Sequence, residues 1–223
     1  MTYSDYRRVA RENLMGNYWQ SVLVSFVAML LGGLIAGTSV FSINLDAEEL
    51  NQLPRFLIRY FVIMGSIAGF LSFVRFIIGG TVQLGYTQYL LKQHNHAHFD
   101  IHDLFSQFDR FKDGFLQSFL RGLYIALWSL LFIIPGIVKQ FSYAMTPFIM
   151  AENPNMTASE AITASRELMD GHKGELFMLD LTFIGWDLLA LLTLNIGYIF
   201  LNPYKNAAYA AFYRDITASR ETY

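Results

Sequence analysis

Residues 60–91 read YFVIMGSIAGFLSFVRFIIGGTVQLGYTQYLL, with Arg75 as the single charged side chain. As one helix at 1.5 Å per residue the stretch would run for about 48 Å, well past the ~30 Å hydrocarbon core of a bilayer. It is too apolar for an element surrounded by water and too long for one simple span. We therefore read it as two elements. A membrane span over 55–78 has Arg59 reaching for one interface and Arg75 for the inner one. The pair Gly79-Gly80, poor in helix propensity, is the joint. Val82 to Lys92 then lies along the inner membrane surface.

Composition agrees with a membrane protein. Apolar residues make up 54 % and charged residues 15 %, against about 25 % charged in soluble domains. Mean hydropathy is +0.33. A formal net charge of −2 gives no basic field for nucleic acid, so no nucleic-acid partner is expected. The absence of cysteine excludes disulfides, thiolate metal sites and cysteine nucleophiles.

Working outward, residues 4–15 form an amphipathic interfacial helix with Ser4 as N-cap. Tyr6, Val9, Ala10 and Leu14 share its apolar face, and Arg7, Arg8 and Arg11 supply charge. A charge-free span over 18–37 follows, without the short apolar core and cleavage site of a signal peptide, so it is expected to stay as an anchor. The arginines place the amino terminus inside. The loop Thr38 to Pro54, with Asp46, Glu48 and Glu49 and no basic residue, is then outside.

Beyond the opening stretch, His94 to Asp113 is an inner polar segment with Phe99, Leu104, Phe105, Phe108 and Phe111 as interfacial anchors. Further spans are predicted over 115–134, 137–152, 176–201 and 204–214. Pro135-Gly136 turns the chain between the first two of these, Pro147 kinks the short second one, and Pro203 opens the last. Thr157 and Glu160 form a capping box. It starts a cytoplasmic amphipathic helix over 157–170, with Ala161, Ile162, Ser165, Leu168 and Met169 on one side and Gly171 as its stop. The fold class is all-α: a single polytopic helical membrane bundle over 1–223, with about six membrane helices.

The string His94-Asn95-His96-Ala97-His98-Phe99-Asp100-Ile101-His102-Asp103 offers the ligand types of a zinc, nickel or copper site. A solvated loop is the better reading, since a metal site needs fixed geometry. No metal or cofactor is expected, with His94, His96, His98 and His102 as the residues that would hold one. Asp187 lies in an apolar stretch, where a carboxylate is costly unless paired or hydrated. It is expected to face the bundle interior or a wet cavity near Arg121 or Lys139, as a structural pair rather than a proton or ion relay. Asp180 marks a helix end. Gly33 with Gly37, and Gly65 with Gly69, are GxxxG pairs suited to packing the first two spans together; homodimerisation is the alternative. No P-loop, GxSxG or HExxH is present.

Several strings resemble a bacterial integral membrane family, domain-of-unknown-function family 975. They are Ala10-Arg11 with Leu14, Gly16 and Trp19; Asp103-Leu104-Phe105 with Phe108; and Leu127-Trp128-Ser129-Leu130-Leu131 leading into Ile134-Pro135-Gly136-Ile137. Denser matches follow in Ala151-Glu152-Asn153-Pro154, in Ser159-Glu160-Ala161-Ile162 with Ser165, and in Met169 with Gly171, His172 and Lys173. They continue through Phe183-Ile184-Gly185-Trp186 and Pro203-Tyr204 to Phe212-Tyr213-Arg214. The resemblance implies a multi-pass membrane protein and carries no activity. Asp187 and the histidine string are not part of that pattern.

The function expected from the sequence is a non-enzymatic scaffold or accessory subunit of the cell membrane, with both termini cytoplasmic. Its partners would be membrane lipids and other membrane proteins or a second copy. The alternative is a small transporter or channel-like permease using Asp187, which requires a polar cavity reaching that residue. A metal-dependent membrane enzyme ranks third.

Overall fold

The computed structural model describes residues 2–32, 55–193 and 195–221, whose regular structure is entirely helical. Gly33 and Gly37, and the loop with Asp46, Glu48 and Glu49, lie outside the described residues. The elements are α1 (Tyr3–Leu14), α2 (Tyr18–Gly32), α3 (Arg55–His94), α4 (Phe111–Leu131), α5 (Ile133–Ser142), α6 (Thr146–Glu152), α7 (Ala158–Leu168), α8 (Lys173–Leu181), α9 (Ile184–Leu192) and α10 (Gly197–Glu221). Two 3₁₀ turns, Ile101–Phe105 and Phe108–Arg110, join α3 to α4.

The opening stretch is one element, not two. α3 continues through Gly79 and Gly80 for 40 residues, about 60 Å at helical rise. Gly80 serves a close crossing instead of a joint. A Cβ on Gly80 would run into the Gly114 carbonyl, and one on Gly114 would lie 2.7 Å from Thr81 Cα. The part of α3 expected along the membrane surface is instead core, with Val82, Leu84 and Tyr89 fully buried. It packs against α2, α4, α6 and α10. Its first half is the reverse: Val62 is 62 %, Phe70 67 % and Phe73 61 % exposed. Nothing among the described residues lies within 4 Å of a Cβ placed on Gly65 or Gly69; the partners expected for this pair, Gly33 and Gly37, lie outside the described residues. Arg75 is not at the end of the bundle near α1; its Nε donates to the Leu30 carbonyl at 2.7 Å, in the last described turn of α2, satisfying an acceptor that a helix end leaves open.

Later spans are also subdivided. Phe132 is extended (φ −157°, ψ 146°) and ends α4, so the chain turns ahead of Pro135, which sits in the first turn of α5 where its missing N–H is not needed. Residues 137–152 are split between α5 and α6, and Pro147 lies in the first turn of α6. Residues 176–201 are not one helix. The Thr182 hydroxyl turns back to the Leu179 carbonyl at 2.7 Å and that of Thr193 to Ala190 at 2.8 Å, offering the backbone alternatives to continued helix. Pro203 lies inside α10 rather than opening it. Among the described residues two segments, Val62–His94 and Ile101–Leu131, are long and apolar enough to cross a membrane, or three if α1 and α2, bent by 101°, count as one. Six spans are therefore not confirmed among the described residues.

Local signals fare better. Thr157 caps α7 through the Glu160 N–H, and the Thr157 N–H returns to Glu160 Oε2 at 2.8 Å. These bonds, the backbone one foremost, hold the Glu160 carboxyl below its usual range. Gly171 stops the segment at φ +83°. α1 buries Tyr6, Ala10 and Leu14 against α10, with Tyr6 edge-on to Phe212; its cap is Thr2, boxed with Asp5, not Ser4. One end of the bundle gathers the polar joints. Tyr6 donates to Asp215 at 2.6 Å, Asn13 to His94 Nδ1 at 3.0 Å, and Arg214 pairs with Glu152 at 2.6 Å.

The α3–α4 crossing gives a direct test. Gly80→Ala is expected to lower unfolding stability by about 1–3 kcal/mol through overpacking, whereas Gly65→Ala stays within about 1 kcal/mol of the parent and leans toward stabilisation through helix propensity. Denaturant midpoints of the purified proteins read the difference.

Candidate functional site: a polar cavity between α3, α4 and α8–α10

A cavity of about 600 Å³ lies among α3, α4, α5 and the α8–α10 segment. The crossing of α3 and α4 sets its first wall. Gln83 stands one turn beyond Gly80 and Arg121 two turns beyond Gly114, and the Arg121 guanidinium donates to Gln83 Oε1 at 3.0 Å. Among the described residues no carboxylate comes within 4 Å of Arg121. A guanidinium has five donors, and most of those of Arg121 are left for the cavity.

The other wall is an ion cluster. Lys205 Nζ on α10 lies 3.2 Å from Asp187 Oδ2 on α9 and 3.5 Å from Asp180 Oδ1 on α8. Tyr209, one turn beyond Lys205, donates its hydroxyl to Asp180 Oδ1. Asp180 and Asp187 are two turns apart in sequence, which puts both on one side of the chain, and the turn at Thr182–Phe183 lets a single lysine reach both. Gln140, Asn202 and Asn206 add polar surface between the walls. The four charges sum to zero but are segregated: the α8–α10 side carries two carboxylates for one ammonium, and the α4 side a guanidinium with no carboxylate within 4 Å among the described residues. Polar and charged side chains from both walls thus face one open space.

Asp187 therefore faces a polar cavity, as the sequence suggested, but its partner is Lys205, not Arg121 or Lys139. Lys139 lies over the Trp128 ring at 4.8 Å and within 6.0 Å of Tyr143. Sequence reasoning missed Lys205 and Tyr209. Their i, i+4 spacing is the signal that was available, since it places a cation and a hydroxyl on one helix face opposite two lone acids.

The histidine string is a turn. His94 ends α3, and His96 sits at φ 51°. His102 is 4.0 Å from Asp100, and His98 is exposed. Asp100 caps the first 3₁₀ turn, and Asp103 pairs with Lys92 at 2.6 Å. Among the described residues no three His, Asp or Glu side chains converge as metal ligands.

Lys205→Met is expected to destabilise the protein by roughly 2–4 kcal/mol, because two largely buried carboxylates lose their cation. Asp180→Asn or Asp187→Asn alone costs about 1 kcal/mol, since Lys205 keeps one partner. Adding both Asn substitutions to Lys205→Met recovers most of the loss, as measured by denaturant unfolding.

Neither a curated protein nor a solved structure matches the chain. The resemblance drawn from the sequence is borne out from the end of α4 through α10, the segment that contributes Asp180, Asp187, Lys205 and Tyr209: residues 131–220 match the family model described as protein of unknown function (DUF975).

Proposed function

We propose that this is a non-enzymatic integral protein of the cell membrane that binds a small polar solute bearing an anionic group and passes it across the bilayer, a small permease. The observation that carries the reading is the 600 Å³ cavity, with Arg121, which has no carboxylate within 4 Å among the described residues, on one side and the Asp180–Lys205–Asp187 cluster on the other. Its size is that of a small-molecule site, and ionisable side chains at membrane depth typically line solute or ion paths. Apolar exposure supports membrane placement: the outer half of α3, the α4–α5 tip from Leu130 to Ile134, and Leu188 to Leu192 on α9 all present large apolar side chains. The polar joints that tie α1, His94, Glu152 and Asp215 to one end fit both termini on one side, the cytoplasmic one by the arginines of α1.

The scaffold reading has less support. It rested on amphipathic helices free to hold partners, and α1 and α7 turn their apolar faces inward.

The absence of cysteine from the chain gives a clean test. In reconstituted vesicles, Gln140→Cys and Asn206→Cys are expected to react with a membrane-impermeant maleimide, while Leu130→Cys on the apolar tip does not. Uptake of small carboxylate and amino-acid solutes is expected, falling tenfold or more in Arg121→Gln. Unreactive cavity cysteines together with no uptake would show a closed, dry bundle and overturn the proposal.

A further inference from the structure

A second concavity, of about 610 Å³, lies outside the bundle in the elbow between α1 and α2, against α9 and α10. Its trough is apolar, formed by Leu14, Met15, Trp186, Leu189, Phe200 and Leu201. Trp186 is 51 %, Leu189 56 % and Phe200 44 % exposed, so the trough opens sideways onto an apolar face. Two cations stand at the α1 end, Arg7 and Arg11. Arg7 Nε donates to the Tyr204 hydroxyl at 3.2 Å and the guanidinium lies 5.4 Å from the Phe183 ring centroid. Neither arginine has a carboxylate within 4 Å among the described residues, whereas Arg8 on the same helix pairs with Asp5 at 3.2 Å. Among the described residues, two guanidinium groups thus stand without a carboxylate partner at the rim of an apolar trough.

We propose that this elbow binds one anionic phospholipid of the cytoplasmic leaflet, its phosphate held by Arg7 and Arg11 and an acyl chain laid along the trough. Charge complementarity selects the occupant. Guanidinium matches phosphate oxygens in bidentate geometry, and the elbow places both arginines at the level of the headgroups while the trough runs into the apolar layer. A protein segment would have to carry acidic and apolar groups at this spacing, and a soluble anion would leave the trough empty; an anionic lipid meets both requirements. The site is separate from the polar cavity, and the proposal rests on the membrane placement given above.

The test uses brominated lipids, which quench tryptophan on contact. With Trp19→Phe and Trp128→Phe, Trp186 in the trough is the remaining tryptophan of the three in the chain. In phosphatidylcholine vesicles, brominated phosphatidylglycerol is expected to quench Trp186 at about tenfold lower mole fraction than brominated phosphatidylcholine, and Arg7→Gln with Arg11→Gln to remove the difference. Arg11→Gln alone, at an exposed position, serves if the double variant does not fold and is expected to remove part of the difference. Equal quenching by the two lipids in the unaltered arginine background, or a preference that survives the arginine variants, would overturn the lipid site. A companion protein with Trp128 as sole tryptophan reports insertion of the α4–α5 hairpin. Quenching there by both lipids with none selective at Trp186 removes the lipid site alone, and no quenching at either tryptophan removes the membrane reading with it.

Discussion

The crossing of α3 and α4 at Gly80 and Gly114 is the constraint on which the remaining architecture rests. Backbone meets backbone there, without intervening side chains, so the two longest apolar segments are held in one fixed register. That register sets Gln83 and Arg121 side by side on the cavity wall. It also makes the second half of α3 the centre of the molecule, with α2, α6 and α10 laid around it. Ser21 and Ser25 of α2 bond to Tyr89 and Tyr86 at 3.0 and 2.6 Å. These polar contacts line up two apolar helices in a way that dispersion alone would not.

Charge inside this protein is arranged by partial neutralisation. An isolated carboxylate at depth is costly, and Asp180 and Asp187 both avoid isolation by sharing Lys205. One ammonium between two carboxylates still leaves an acidic excess on that wall, and Arg121 is the compensating charge elsewhere in the same cavity. Complete pairing would have produced a stable, inert core. Incomplete pairing leaves donors and acceptors facing an open space, the arrangement on which the proposed solute site rests.

Legibility in the sequence followed the range of the interaction. The α7 capping box, the residues of its apolar side and the Gly171 stop are set within one or two turns and are legible in the sequence; that this side turns inward is not. The burial of Tyr6, Ala10 and Leu14 was legible from spacing; that their partner is α10, some two hundred residues away, was not. Gly79-Gly80 misled because low helix propensity and tolerance of close packing have the same cause, the missing Cβ, and only the neighbour decides between them. Asp187 was legible as an anomaly because an acid in an apolar run needs a reason. Its partner was not, because Lys205 lies on another helix and the 176–201 stretch breaks where hydroxyl side chains compete for backbone carbonyls.

Groove and cavity share a wall. Phe183, fully buried, has Arg7 5.4 Å from its ring centroid on the groove side and Lys205 5.9 Å away on the cavity side. Tyr204 packs edge-on against the same ring and accepts the bond from Arg7, and the next residue in the chain is Lys205. A single aromatic ring therefore borders the cations of both sites, and each cation's position is set partly by its attraction to that ring. It follows that the start of α9 and the Tyr204–Lys205 turn of α10 cannot be adjusted for one site without moving the other. The family match over residues 131–220 includes this wall but not Arg7, Arg11 or Arg121. The shared wall and the acid–lysine cluster thus belong to the matched segment, and the three cations without a carboxylate partner among the described residues are supplied by the part of the chain before it.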